Sequence, residues 1–257
     1  MVLNNKGFKL LFGQMFKLLI ILFLFLGQFS IVIAGPPFLT DDPEPVDFKH
    51  WEFYISTINV LEPNNFSGTI PHFETNYGIF PNTQIHLLLP LNYTFQTHQE
   101  LSFGYAYTEF GIKYRFIKET ENFPQIGTFP IIEIPTIQNN QFSNNKFQLY
   151  IPVWIQKSWD KITTYGGGGY WFNPGTNNKN WIFAGWLLQY DFSKKLTLGG
   201  ELFYHSSASN DDSPLIGFNV GGFLNITNKS HFIFSSGHNF FSSGNIFMFY
   251  AGFLWTI

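Results

Sequence analysis

The sequence predicts an all-β fold: a transmembrane antiparallel β-barrel of about twelve strands behind an N-terminal signal peptide. Three observations predict it. Asp, Glu, Lys and Arg together make up only 12% of the 257 residues, against about 25% in soluble domains. Apolar and polar residues alternate with period two along most of the chain, the pattern of a strand with two unlike faces. The chain also ends in an aromatic, amphipathic segment. Aromatic residues reach 20%, yet mean hydropathy is +0.01, so apolar and polar residues are finely mixed. A helical membrane protein would need runs of about 20 apolar residues, and a disordered chain would be poor in aromatics.

Residues 1–34 carry Lys6, Lys9 and Lys17 and no acid, then the apolar run 18–26, then Val32-Ile33-Ala34. This is the layout of a secretory signal peptide cleaved after Ala34, because the apolar run is too short for a stable span. Removing the leader leaves 14 − 3 = 11 Lys and Arg against 17 acids, a net charge of 11 − 17 = −6. Nothing in that balance offers a basic field for nucleic acid. With no Cys, disulfides and thiolate metal sites are absent, and the seven scattered His show no ligand spacing on one strand. No cofactor or metal is expected.

Residues 35–50 form a lead-in segment with Asp41, Asp42, Glu44 and Asp47 among four prolines, which rules out a central strand. A plug in the lumen and a tail in the periplasm both fit it.

The barrel is expected over 51–257, with strands near 51–60, 69–80, 84–95, 103–117, 125–136, 147–158, 162–172, 181–192, 196–205, 215–226, 230–240 and 245–257. Most exceed the usual five or six residues of globular strands and match the 9 to 11 that a tilted strand needs to cross a bilayer. In 104–116, Phe110, Ile112, Tyr114 and Phe116 alternate with Tyr107, Glu109, Lys113 and Arg115. In 147–158, Leu149, Ile151, Val153 and Ile155 alternate with Gln148, Tyr150, Trp154 and Gln156. In 196–205, Leu196, Leu198, Leu202 and Tyr204 alternate with Thr197, Gly199, Glu201 and His205. Connectors near 62–68, 96–102, 137–146, 173–180 and 206–214 are long and Asn-rich, whereas 81–83, 159–161, 193–195 and 227–229 are tight. Long loops outside and short turns in the periplasm are the layout of outer-membrane barrels, and an even strand count puts both chain ends in the periplasm. In the last segment, Phe247, Phe249, Ala251, Phe253, Trp255 and Ile257 share one face. Such a strand serves as the closing strand and as the signal read by the barrel-insertion machinery. Lipid is therefore the expected surroundings, in the outer membrane of a Gram-negative bacterium.

The opening Gly35-Pro-Pro-Phe-Leu-Thr-Asp-Asp-Pro-Glu-Pro-Val-Asp-Phe-Lys-His-Trp-Glu-Phe-Tyr54, together with Glu109-Phe-Gly-Ile-Lys-Tyr-Arg-Phe116, Ile134-Pro-Thr136, the glycine run 165–174, Gly199-Gly-Glu-Leu-Phe203 and Phe218-Asn-Val-Gly-Gly222, resembles the MetA-pathway of phenol degradation family. The resemblance implies an outer-membrane barrel that moves small hydrophobic or aromatic compounds, and no enzyme.

The inward candidates are His72, Glu74 and Asn76 on the second strand, Glu109, Lys113 and Arg115 on the fourth, Gln156 on the sixth, Glu201 and His205 on the ninth and Asn219 on the tenth. Lys113 and Arg115 are expected to face Glu109, Glu74 or Glu201 across the lumen. That arrangement gives either a constriction field for passive diffusion or an ion-pair network that fills a small barrel. Tyr105, Tyr107, Trp154 and Trp171 are candidates for an aromatic slide, or for girdle and packing positions. A non-transporting surface or structural barrel is the alternative function. His205, Ser207 and Asn219 echo the order of outer-membrane phospholipase A, but alternation turns His205 inward, away from lipid. A hydrolase is therefore a remote third reading.

Overall fold

The computed structural model describes residues 36–105, 107–135, 142, 146–241 and 246–257; the leader reading of 1–34 lies outside them. Alternation predicts extended chain, and fourteen strand segments follow: β1 Trp51–Glu62, β2 Asn65–Phe80, β3 Thr83–Gln96, β4 Ser102–Tyr105, β5 Tyr107–Ile117, β6 Gln125–Thr128, β7 Ile131–Pro135, β8 Gln148–Trp159, β9 Ile162–Phe172, β10 Trp181–Ser193, β11 Leu196–His205, β12 Leu215–Asn225, β13 Ser230–Phe241 and β14 Phe247–Thr256. Segments β4 and β5 both pair with β3, and β6 and β7 both pair with β5 and β8. Each couple therefore occupies one place in the wall.

The result is a closed barrel of twelve antiparallel strands, each paired with its neighbours in sequence and sealed by β1 against β14 from Glu52↔Thr256 to Leu61↔Phe247. Backbone bonds at 2.9 Å in both directions between Trp51 and Ile257 finish the seam. Closure leaves no strand edge, as lipid requires. The final strand is the one that closes, as its aromatic face predicts.

Two faces emerge as alternation dictates. Along β5, Phe110, Ile112, Tyr114 and Phe116 point outward with about half their surface exposed, whereas Lys113 between them is 3% exposed. The predicted strand 125–136 is interrupted at Phe129-Pro130, because Pro130 has no N–H to give the ladder. There the Thr128 hydroxyl donates instead to the Pro152 carbonyl at 2.6 Å. The connector expected at 62–68 is a two-residue turn, Pro63-Asn64. Asn65, Ser67 and Thr69 look like loop residues by composition, but Leu61↔Phe66 and Ser67↔Thr94 place this stretch in the ladder. Gly167, in the glycine run, has φ +146°, and a Cβ on Gly166 would lie 2.5 Å from the Trp186 ring. The run thus lets aromatic rings lie on bare backbone.

One end of the barrel holds Trp51, Ile257 and the tight turns after β2, β8, β10 and β12; it is called the turn end below. The other, the loop end, carries 173–180 and 206–214. These two loops are knit together by Lys179 N–H to Ala208 O and Asn210 N–H to Asn177 O, both 2.9 Å.

Candidate functional site

Chain direction fixes what lies inside. The lead-in segment turns at the barrel seam and runs up into the lumen, where Thr40, Asp42 and Pro43 are fully buried. Its contacts follow its sequence inward. Lys49 N–H donates to Gly78 O at 2.7 Å and Phe48 bridges Gly78. Val46 N–H donates to Gln84 Oε1 at 2.8 Å. Arg115 Nη1 donates to Glu44 Oε1 at 2.9 Å, and Gln125 and Gln156 donate to Glu44 Oε2 at 2.9 and 3.4 Å. Lys113 Nζ reaches Asp41 at 2.8 Å and Asp42 at 3.5 Å. Leu39 and Thr40 N–H donate to the two oxygens of Glu201 at 2.9 and 2.7 Å, while the Asn219 amide donates to the same carboxylate. Ser235 Oγ donates to Pro37 O at 2.6 Å. Seven wall segments, β2, β3, β5, β6, β8, β11 and β13, grip this one stretch. Gly78 makes the close approach possible, since a Cβ there would stand 2.0 Å from the Asp47 carbonyl oxygen.

Lys113 and Arg115 therefore face Asp41, Asp42 and Glu44, and not Glu109, Glu74 or Glu201 as expected. Asp42 is fully buried and Asp41 and Glu44 are partly so, and a charge taken out of water needs a partner close by. The segment brings its acids to the cations, and Glu201 is satisfied by N–H donors instead. Asp42 lies outside the spanning strands. Burial pushes its carboxyl well above the usual carboxylate range, the Lys113 ammonium opposes this, and Asp41 adds to it.

A second polar group lines β2, β3 and β5. His86 Nε2 is 2.9 Å from Glu109 Oε1, and His86 Nδ1 is 2.7 Å from Asn76 Oδ1 and 3.5 Å from Glu74 Oε1. The Asn76 amide donates to Glu74 at 2.8 Å. His72 is buried beside the Thr69 hydroxyl at 3.0 Å. His86 is the member that sequence reasoning missed. Its alternation with Ile85 and Leu87 carried the signal, but the Leu87-Leu-Leu89 run beside it masked the polar face.

The third group is apolar. Inward rings stack across neighbouring strands, Tyr150 on Trp171 at 4.8 Å and Trp171 on Trp181 at 5.3 Å, with His205 edge-on to Trp181 at 5.6 Å. Below them Trp154, Phe183 and Phe203 follow at 6.3 and 6.4 Å, and Phe129 and Leu215 join the same cluster. Trp154 and Trp171 thus belong to one inward aromatic bank, whereas Tyr105 and Tyr107 are half-buried two wall positions from β8 and outside that bank. His205 Nδ1 lies against the Ser206 carbonyl at 3.0 Å, and Asn219 binds Glu201. The three residues of the hydrolase reading therefore form no relay.

A closed, twelve-stranded antiparallel wall with apolar residues outward and polar residues inward decides the fold type. The fold is that of an outer-membrane barrel. It is similar to the crystal structure of an outer membrane channel from Pseudomonas putida F1, with TM-score 0.73 and 11% identity over 88% of this chain and 100% of that one. The translocator domain of the autotransporter NalP from Neisseria meningitidis follows with TM-score 0.56, 10% identity and 80% and 88% of the two chains covered. The KdgM porin, solved with oligogalacturonate, gives TM-score 0.53 and 13% identity, covering 79% of this chain and 98% of that one. No family model and no curated protein matches the chain.

Proposed function

We propose that the protein is an outer-membrane channel for passive diffusion of small hydrophobic or aromatic solutes, without nucleotide, metal or cofactor. The inward bank of Tyr150, Trp171, Trp181, Trp154, Phe183 and Phe203 carries this reading. An aromatic wall inside a barrel gives an apolar solute a surface to move along. The likeness of fold to a Pseudomonas channel supports it, as does the resemblance of residues 35–54 and 109–116 to the MetA-pathway family. In this reading residues 1–34 are removed by cleavage after Ala34, the turn end faces the periplasm, and β14 is read by the insertion machinery. The lead-in segment acts as a plug, and Lys113, Arg115, Gln156, Glu201 and Asn219 form its seat. His72, Glu74, Glu109 and His86 form the polar wall beside the path.

Liposome swelling with sugars and aromatic acids of matched size tests the proposal, on the mature chain and on a variant lacking 36–48. Faster entry of the aromatic acids, increased by the deletion, is the expected result. The tightly seated segment favours one second reading, a non-transporting structural or surface barrel. Impermeability of both proteins to every solute would establish it in place of the channel.

A further inference from the structure

The turn end carries a repeated pairing that the lumen does not explain. Three consecutive turns on one side of the barrel each place a lysine just beyond a large, outward, exposed apolar residue: Trp159 then Lys161, Phe192 then Lys194 and Lys195, and Ile226 then Lys229. Trp159, Phe192 and Ile226 are 55, 58 and 55% exposed on the lipid side. The turns are held in place by backbone bonds to the next strand: Asp191 N–H to Lys161 O, Asn225 N–H to Lys195 O and Thr256 N–H to Lys229 O, at 2.9, 2.9 and 3.0 Å. Each turn is two strands from the next, roughly 10 Å. Among the described residues none of these four ammonium groups is in an ion pair. The acids at this end are Asp160 and Asp191 on the same turns and Glu119 and Glu121 on the adjoining 118–124 connector; Asp191 is engaged by the Thr197 hydroxyl, and Glu119 by Lys157 and the Ser158 N–H. The loop end is the reverse, with Glu62, Glu100, Asp211 and Asp212 against Lys146 and Lys179.

We propose that this arc is a binding site for anionic phospholipid, with the headgroup phosphates on Lys161, Lys194, Lys195 and Lys229 and the acyl chains against Trp159, Phe192 and Ile226. Charge complementarity selects the headgroup, because basic residues at a membrane surface attract anionic lipid. The apolar step directly on the membrane side of each lysine requires that the phosphate be attached to a hydrocarbon chain. On this assignment the turn end lies against the leaflet whose lipids carry single phosphodiester groups.

Native mass spectrometry of the mature chain in detergent, with equal phosphatidylglycerol and phosphatidylcholine, tests the assignment. Wild type is expected to retain phosphatidylglycerol at least about fivefold more, the factor a single surface lysine supplies. The combined Lys161→Gln, Lys194→Gln, Lys195→Gln, Lys229→Gln variant is expected to lose that preference, with its folded gel mobility unchanged. A Lys146→Gln, Lys179→Gln variant is expected to keep it. Equal retention of the two lipids by wild type, or an undiminished preference in the fourfold variant, would overturn the assignment. Displacement of the lipid by an equal concentration of glycerol phosphate would also overturn it, since that would make this a site for free phosphate.

Discussion

Replacing Glu201 with Ala is the sharpest probe of the seated lead-in segment. Glu201 is 2% exposed and accepts the Leu39 and Thr40 N–H groups at 2.9 and 2.7 Å. Its own backbone pairs with Leu187 and Asn219, so the side chain can be removed without breaking the wall. Truncation orphans the buried Thr40 N–H and the part-buried Leu39 N–H, at up to about 1–3 kcal/mol each. Water entering the vacated space keeps the sum in the lower half of that range, about 3 kcal/mol. Since 1.4 kcal/mol is tenfold in an equilibrium, the ratio of seated to released segment falls about a hundredfold. Amide hydrogen exchange in detergent or nanodiscs reads this directly: Leu39 and Thr40 exchange about a hundredfold faster in Glu201→Ala, while Leu187 and Asn219 keep their protection. Exchange at Leu39 and Thr40 within about threefold of wild type, in a folded barrel, would refute the claim that Glu201 holds the segment.

Gly78→Val drives a side chain into the Asp47 carbonyl; because the obstacle is backbone, residues 46–49 are expected to lift off β2, seen as accelerated exchange at Lys49 with the seam at Ile257 unchanged. Trp171→Ala removes the ring between Tyr150 and Trp181; an aromatic solute stacked on that ring would lose about 0.5–1.5 kcal/mol, so the rate of aromatic acids relative to sugars in liposome swelling should fall about two- to tenfold, and an unchanged ratio would remove the bank from the path. Asp42 supplies a pH dependence. Burial raises its pKa in the seated state, so the seated form holds a proton that the released form gives up; seating is fullest below the ordinary carboxylate range and weakens as pH rises through the raised value. Conductance should therefore grow with pH in planar bilayers, and Asp42→Asn should flatten that slope; a wild-type conductance that fell with rising pH would contradict the sign.

The wall was legible because a barrel strand has two unlike neighbours, lipid and lumen, and period two records both. Phe110 to Phe116 against Glu109 to Arg115 fixed the facing of β5, and the Phe247 to Ile257 stripe marked the closing strand. Composition misled where polar residues sit in a ladder, as at Asn65 and Ser67, and where a leucine run hid His86. The partners of Lys113 and Arg115 were beyond reach for a different reason. Alternation says which side chains point inward but carries no information on what meets them there, and residues 36–50 come from outside the repeating pattern. Their prolines excluded a strand; their acids, once seated, redefined what the inward cations were for.

The order of contacts along the lead-in segment gives it a direction under load. From the seam inward they run Lys49 to Gly78, Val46 to Gln84, Glu44 to Arg115, Asp41 to Lys113, Leu39 and Thr40 to Glu201, and Pro37 to Ser235. A pull from the turn end meets them one after another, so the greatest force needed is that of the strongest single grip and not of their sum. The surrounding strands, bonded side by side along their full length, resist the same pull in shear. The segment can therefore come free one contact at a time, whereas the wall can yield only many bonds at once.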